Sequence, residues 1–522
     1  MKFCAIICEY NPFHNGHAYQ IQKAREISGC EGILCIMGGN FSQRGEPAIT
    51  DKYTRAKMAI AGGADAVVQI PTYLCSTNAE IFAKTAVKIA LSFKNVTHLC
   101  FGSECGDINS IVELATLLYK EPAFFKAMIK RNLNLGYSLG MSKTKAISEC
   151  IDNNTVKFTR PKVVNSLLES PNNILAVEYV KAMLGEKDKH IQPITIQRVN
   201  NDDFYNDCDM KLSNATTIRS ALHSSKRMWN VRKYIPNVPY KILAERLSTV
   251  SIPDMHLYSQ LALYKLSTTN ANELQSNYDV VEGIENKLIQ TARESSNYES
   301  FVEMSTNRRF TVARIQRITI ATLLNLRSEY VKHIYDIDYL PYVKVLAIKN
   351  KDEIISSISK SKSTVVLRKL DAIKAQNDPY AKILMYAEDR ANILYGMLLS
   401  LNKDQKQDLA RTSDIFEKTI FVEDEDIIDD ENQDEITDDD INSATKNEKN
   451  KSKKSKNESA PGITTDATSN DIVSTQSTKP IVDTQTTSNE TPNEPTTQTS
   501  QDDKTNKKHK ITKKSNPKPN KS

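Results

Sequence analysis

Residues 1–200 alternate brief apolar, β-rich runs with stretches of helical period. The runs Phe3 to Cys8, Ile33 to Met37, Ala66 to Ile70, Thr97 to Phe101 and Ile194 to Val199 read as strands. Between them Ala18 to Ser28, Lys52 to Ala61 and Ala79 to Ser92 carry helical spacing and few breakers. Strands that alternate with helices in this way predict an α/β fold, a parallel sheet covered on both faces. From about Ser220 to about Lys418 the β-rich runs become scarce, and Ile, Leu, Tyr, Lys and Arg recur at helical spacing. That change predicts a catalytic α/β domain over 1–220 followed by a mainly helical domain over 221–420.

Within the helical part, Phe310 to Val331 places Val312, Ile315, Ile318, Leu323 and Leu326 on one face. Arg314 and Arg317 fall on the opposite face, with Arg308 and Arg309 just upstream. The arginines are either a solvated charged face or a face that contacts RNA phosphates. After Phe421 the composition changes to an acidic run, then to Ser, Thr, Asn, Gln and Lys with a basic end. Such a segment buries too little apolar surface to offset its ordering entropy, so 421–522 is expected to be a disordered tail. A solubilising role is the default for it, with weak RNA tethering as the alternative.

Charge adds little to this picture, since 69 basic and 64 acidic residues leave a formal net charge of only +5. Nucleic-acid binding is permitted and not implied. No apolar run approaches the roughly 18 to 20 residues a membrane helix needs, and the mean hydropathy is −0.47. The opening segment has no signal-peptide cleavage pattern, so a cytoplasmic protein without a membrane segment is expected. The nine cysteines all precede residue 209, with no CxxC pair and no zinc-finger spacing. They read as buried thiols in a reducing compartment, with no structural metal and no disulfide.

The chemistry concentrates in Glu9-Tyr10-Asn11-Pro12-Phe13-His14-Asn15-Gly16-His17, directly after the first strand and before a helix. A helix start offers unpaired N–H groups and partial positive charge, so it can hold a phosphate. Gly16 lets backbone approach a ligand, while His14 and His17 can aim donors at an α-phosphate as pyrophosphate leaves. An incidental turn is the other reading. A second, hydroxyl-rich loop runs Leu212-Ser213-Asn214-Ala215-Thr216-Thr217-Ile218-Arg219. Ser213, Thr216 and Arg219 are its candidate phosphate contacts, against an ordinary helix cap. The loop Gly39 to Gly45, with Asp51, Lys52 and Arg55, either lines the same cleft or is structural.

His-x-Gly-His resembles the HxGH signature of the nucleotidyltransferase superfamily, which binds ATP on a Rossmann-like core. Longer strings narrow the likeness: EYNPFHNGH, GGNFSQRGEPAITDKYTRAKMAI, GADAVVQIP, FGSE, SPNNILAVEYVKA and RRFTVARIQR. Together they resemble the tRNA(Met) cytidine acetate ligase family over about residues 1–400. The resemblance implies ATP as substrate, with Mg²⁺ accompanying it, and acetate and elongator tRNA(Met) as the other substrates. It implies ATP contacts along Ile7, Cys8, Glu9, Tyr10, Asn11, Pro12, Phe13, His14, Asn15, Gly16, His17, Ala18, Tyr19 and Gln20. Gly102, Asn173 and Arg198 complete that implied set, and the helical domain with Arg309, Arg314 and Arg317 is the natural platform for tRNA.

The implied reaction has two steps, acetate forming acetyl-adenylate and the wobble cytidine then taking the acetyl group. Two departures stand out: Tyr205-Asn206-Asp207 lacks the histidine usual at its centre, and the phosphate loop reads SNATTIR. An adenylyltransferase acting on a phosphorylated metabolite and a non-catalytic nucleotide or RNA binder remain as rival readings.

Overall fold

The computed structural model describes residues 1–186, 191–198, 213–225, 228–281, 283–401 and 414–425. The Tyr205-Asn206-Asp207 departure and the tail from 426 onward lie outside these residues.

The expected strands form the heart of one sheet: β1 Phe3–Cys8, β2 Gly32–Gly38, β3 Ala66–Ile70, β4 Val96–Ser103 and β5 Gln192–Gln197. They lie parallel in the order β5-β4-β1-β2-β3. The order reverses between β1 and β4, the Rossmann-like switch point where an open sheet leaves a crevice beyond its carboxyl ends. Alternate residues of β1 serve two cores. Phe3, Ala5 and Ile7 join the larger one with Phe82, Ala86 and Val177, while Cys4 and Ile6 meet Phe13, Ile21, Ala56, Ile218 and Val231 on the other face. Burial on both faces is why these strands are unbroken apolar runs.

The region expected to be mainly helical also supplies strands. β6 Tyr342–Lys349 lies antiparallel beside β3, Val68 opposite Val345, and itself pairs with β7 Thr364–Val366 and β8 Ile420–Val422. The expected start of the tail at 421 therefore falls within a strand. The pattern over Phe310 to Val331 is two helices, Val312–Leu324 and Ser328–Asp336. Asn325 ends the first at φ 53°, and the Leu326 N–H returns to the Ala321 carbonyl at 2.8 Å, which buries Leu326. Val312, expected on the apolar face, is exposed. No helix among the described residues is long and apolar enough to cross a membrane. The eight described cysteines are free thiols.

A buried polar cluster joins the distal segments to the sheet's carboxyl edge. Lys52, 1% exposed, sets its Nζ 2.6 Å from Asp414 Oδ1, 3.6 Å from Glu388 Oε2 and 3.1 Å from Gln69 Oε1. Glu388 also accepts from the Gln69 amide at 2.7 Å and from the Thr72 backbone N–H. Burial pushes the Glu388 carboxyl above the usual carboxylate range, with Lys52 opposing it.

Candidate active site

The loop after β1 enters the crevice under tight constraint. Tyr10 holds a left-handed φ of 46° and turns its ring into the core with Phe13. The Asn11 Oδ1 accepts the Ile49 N–H at 2.8 Å. Phe13 lies so close over Gly62 that a Cβ there would come within 2.2 Å of its ring. Beneath the loop, Arg55 is buried and donates to the carbonyls of Glu9 at 2.6 Å, Thr50 at 3.1 Å, Gly38 at 3.3 Å and Gly39. One guanidinium thus ties the ends of β1 and β2 together. Of the Gly39 to Gly45 loop and its neighbours, Arg55 and Lys52 serve structure, and Asp51 caps the helix Lys52–Ala61 while pairing with Arg246 at 2.8 Å. The expected segment from Ile7 to Gln20 spans the crevice, but Tyr10 and Phe13 face the core.

The helix begins at Asn15, one turn earlier than its apolar period suggests, so both histidines belong to its first turn. His14 is the N-cap, and its Nδ1 accepts the Gly16 N–H at 3.1 Å. The His17 Nδ1 accepts the His14 N–H at 3.3 Å, and the two rings stack 3.6 Å apart at 25°. A Cβ on Gly16 would sit 3.1 Å from the His14 ring, so the glycine makes room for this stack. An Nδ1 that accepts leaves a neutral imidazole's proton on Nε2, which becomes a donor. Burial, reinforced by Arg198 and Arg219, lowers His14 to about 3. Burial, His14 and Arg198 hold His17 well below the ordinary value. Both rings are neutral donors at pH 7, and the arginines carry the positive charge.

This arrangement predicts acid lability. The unfolded chain takes up a proton on His14 near pH 6.5, whereas the folded protein resists until about pH 3. The stabilising contribution is therefore full above pH 6.5 and falls by about 1.4 kcal/mol per pH unit below it. The unfolding midpoint of the ligand-free protein is expected to drop between pH 6.5 and 5, and to drop less in His14→Asn. Equal slopes for the two proteins would refute the assignment.

The remaining expected residues gather on the same crevice. The Arg198 N–H bonds the Ser103 carbonyl at 2.8 Å, and its side chain crosses Gly102, where a Cβ would be 3.2 Å from Arg198 Cγ. Gly102 is bare to pass that arginine. Arg219 donates to the Asn11 carbonyl at 2.8 Å and to Thr216 Oγ1 at 3.1 Å, joining the second loop to the histidine loop. Asn214, and not Ser213, caps that helix by accepting the Thr217 N–H at 2.8 Å. The Asn173 Oδ1 is committed to the backbone N–H groups of Glu104 at 2.9 Å and Cys105 at 3.1 Å, so only its amide nitrogen is left to meet a ligand.

Arg314 and Arg317 are not the free cationic face that their period predicts. Their guanidinium groups hold Asp279 at 3.2 and 3.3 Å and are only 16% and 12% exposed. Arg309 is exposed, well away in sequence from the histidine loop. Sequence reasoning missed the Arg55 clamp, whose only local signal is its place one turn after the Asp51 cap.

Residues 1–410 match the family model for the HIGH nucleotidyl transferases. A tRNA(Met) cytidine acetate ligase of Clostridium perfringens is 34% identical over 415 residues, covering 77% of this chain and 98% of the relative. The chain belongs to the tRNA(Met) cytidine acetate ligase family of HIGH nucleotidyl transferases. Another family member, from Acetivibrio thermocellus, is 33% identical over 403 residues, covering 76% of this chain and 95% of its own. The crystal structure of Thermotoga maritima TmcAL bound with alpha-thio ATP matches with a TM-score of 0.71 at 28% identity, over 80% of this chain and all of that one. The apo form of that protein matches with a TM-score of 0.73 at 27% identity, over 81% of this chain and all of its own. The tRNA(Met) cytidine acetate ligase family thus accounts for the shared core.

Proposed function

We propose that this chain uses ATP and acetate to acetylate the wobble cytidine of elongator tRNA(Met), giving N(4)-acetylcytidine. The observation that carries this reading is the stacked, neutral pair His14 and His17 at the switch point, with Arg198 and Arg219 beside it. An acetate oxygen attacks the α-phosphorus of ATP, the bond to the bridging oxygen breaks, and pyrophosphate leaves. The two Nε2–H groups donate to the α-phosphate oxygens as charge builds there, and Arg198 and Arg219 hold the departing phosphates, aided by Thr216 and the N–H groups of its helix start. A carboxylate needs no general base for this step. In the second step the cytidine N4 amine attacks the acetyl carbon, loses a proton, and AMP departs with the former acetate oxygen.

Mg²⁺ would enter with ATP on its phosphates. Among the described residues no cluster of three or more His, Cys, Asp or Glu could hold a metal ion, so the phosphates themselves would be its main ligands. The reading is supported by relatives named tRNA(Met) cytidine acetate ligase that share nearly their full length with this chain. The cytoplasm is the compartment that supplies these substrates.

The test is incubation of the protein with ATP, radiolabelled acetate and unmodified elongator tRNA(Met), followed by nucleoside analysis. Label in acetylated cytidine is the expected result. ATP turnover with an unlabelled tRNA would replace this reading with adenylyl transfer to a small molecule.

A further inference from the structure

Asn15, the residue between the cap histidine and Gly16, does not face the crevice alone. Its Nδ2 donates to the Lys233 carbonyl at 3.0 Å, which fastens a short 3₁₀ helix, Met228–Tyr234, against the histidine turn. The same short helix packs on Ala215–Ser225, the helix that carries Thr216 and Arg219. Val231 pins it from below, fully buried in the cluster of Tyr10, Phe13, Ile218 and Leu222. Two residues away Trp229 turns outward, 54% exposed, and it is the only tryptophan in the chain.

An exposed apolar side chain alone needs no explanation. The setting of Trp229 does call for one. The stretch Met228–Tyr234 has no acidic residue, Lys233 is exposed with its Nζ 4.9 Å over the Tyr234 ring, and the Arg232 guanidinium lies 5.6 Å over Tyr240. A flat indole that shares its short helix with Arg232 and Lys233, on a turn bonded to the histidine turn and packed on the helix of Thr216 and Arg219, has the composition of a platform for an unpaired base and its phosphates.

Resting on the tRNA reading above, we infer that Trp229 stacks on an unpaired base of the acceptor RNA, with Arg232 and Lys233 neutralising the adjoining phosphates. The platform thereby brings the anticodon loop up to the acetyl-adenylate. Its energetic role belongs to RNA binding and not to the first chemical step.

The single tryptophan makes the test direct. Titrating the full chain with unmodified elongator tRNA(Met) is expected to quench tryptophan emission, whereas an unchanged emission overturns the inference. In steady-state acetylation, Trp229→Ala is expected to raise the KM for tRNA roughly tenfold with a smaller change in kcat, as loss of one stacked base implies. Trp229→Phe, which keeps a ring, is expected to recover most of that loss. Equal tRNA KM values for wild type and Trp229→Ala, or a Phe variant as impaired as Ala, would overturn the platform while acetylation by the wild type left the parent reading standing. A wild-type protein that acetylates no tRNA would fail the parent reading, and quenching would still report on the platform separately.

Discussion

His17→Ala is expected to slow acetate-dependent pyrophosphate formation by roughly 10²–10³-fold, the usual loss when one preorganised donor to a charged transition state is removed. The KM for ATP should change far less, because the donor's bond strengthens only as negative charge develops on the α-phosphate oxygens. His14 is more complicated. Its Nδ1 also caps the helix, so His14→Ala removes a phosphate donor and about 1 kcal/mol of helix stability together. His14→Asn separates the two effects, since asparagine caps well but has no group at the position of Nε2. It should keep the wild-type unfolding midpoint near pH 7 and lose most of the activity. If both His17→Ala and His14→Asn retain more than a tenth of the wild-type rate, the histidines are not the donors.

The second large effect lies away from the chemistry. Lys52→Met removes the cation from a site where Glu388 and Asp414 are both nearly inaccessible to water. Breaking a buried ion pair from one side leaves a charge without its partner and costs about 3–5 kcal/mol. A marked fall in the denaturant midpoint is expected. The triple variant Lys52→Met, Glu388→Gln, Asp414→Asn should recover part of it, because amides need no counter-charge. An undiminished midpoint for Lys52→Met would mean that the buried site does not need the cation. The burial that pushes Glu388 upward works in that direction, with Lys52 holding against it.

The parallel-sheet half of the molecule is legible in the sequence because its determinants are local. Doubly buried strands such as Ile33 to Met37 are apolar throughout, and a histidine pair around a glycine after such a strand has few other uses. The failures are long-range. Tyr342–Lys349 carries a strand's apolar run, yet it sits in a stretch whose overall composition is helical, and its partner Ala66–Ile70 is far away in sequence. Arg314 and Arg317 lie on the face that helical periodicity assigns them. That face meets Asp279 from a separate turn, which no period within one helix can reveal. Lys52 likewise reads as an ordinary first-turn lysine until Glu388 and Asp414 are brought to it. The convergence of Arg198 and Arg219 on the histidines is tertiary too, although each residue is recognisable from the family's motifs.

The antiparallel pairing of β6 with β3 has a consequence for how the protein is made. On the ribosome, the first five strands can emerge and associate while β3 still presents a bare row of N–H and C=O groups along its outer side. That edge stays open until the polypeptide has grown past residue 349, and a nascent, unpaired strand of Ala-Val-Val-Gln-Ile invites pairing with other chains. Biosynthesis should therefore depend on chaperone shielding or slow delivery of the distal half, and release of a chain ending near residue 220 should yield aggregates in place of a small, working nucleotide-binding unit.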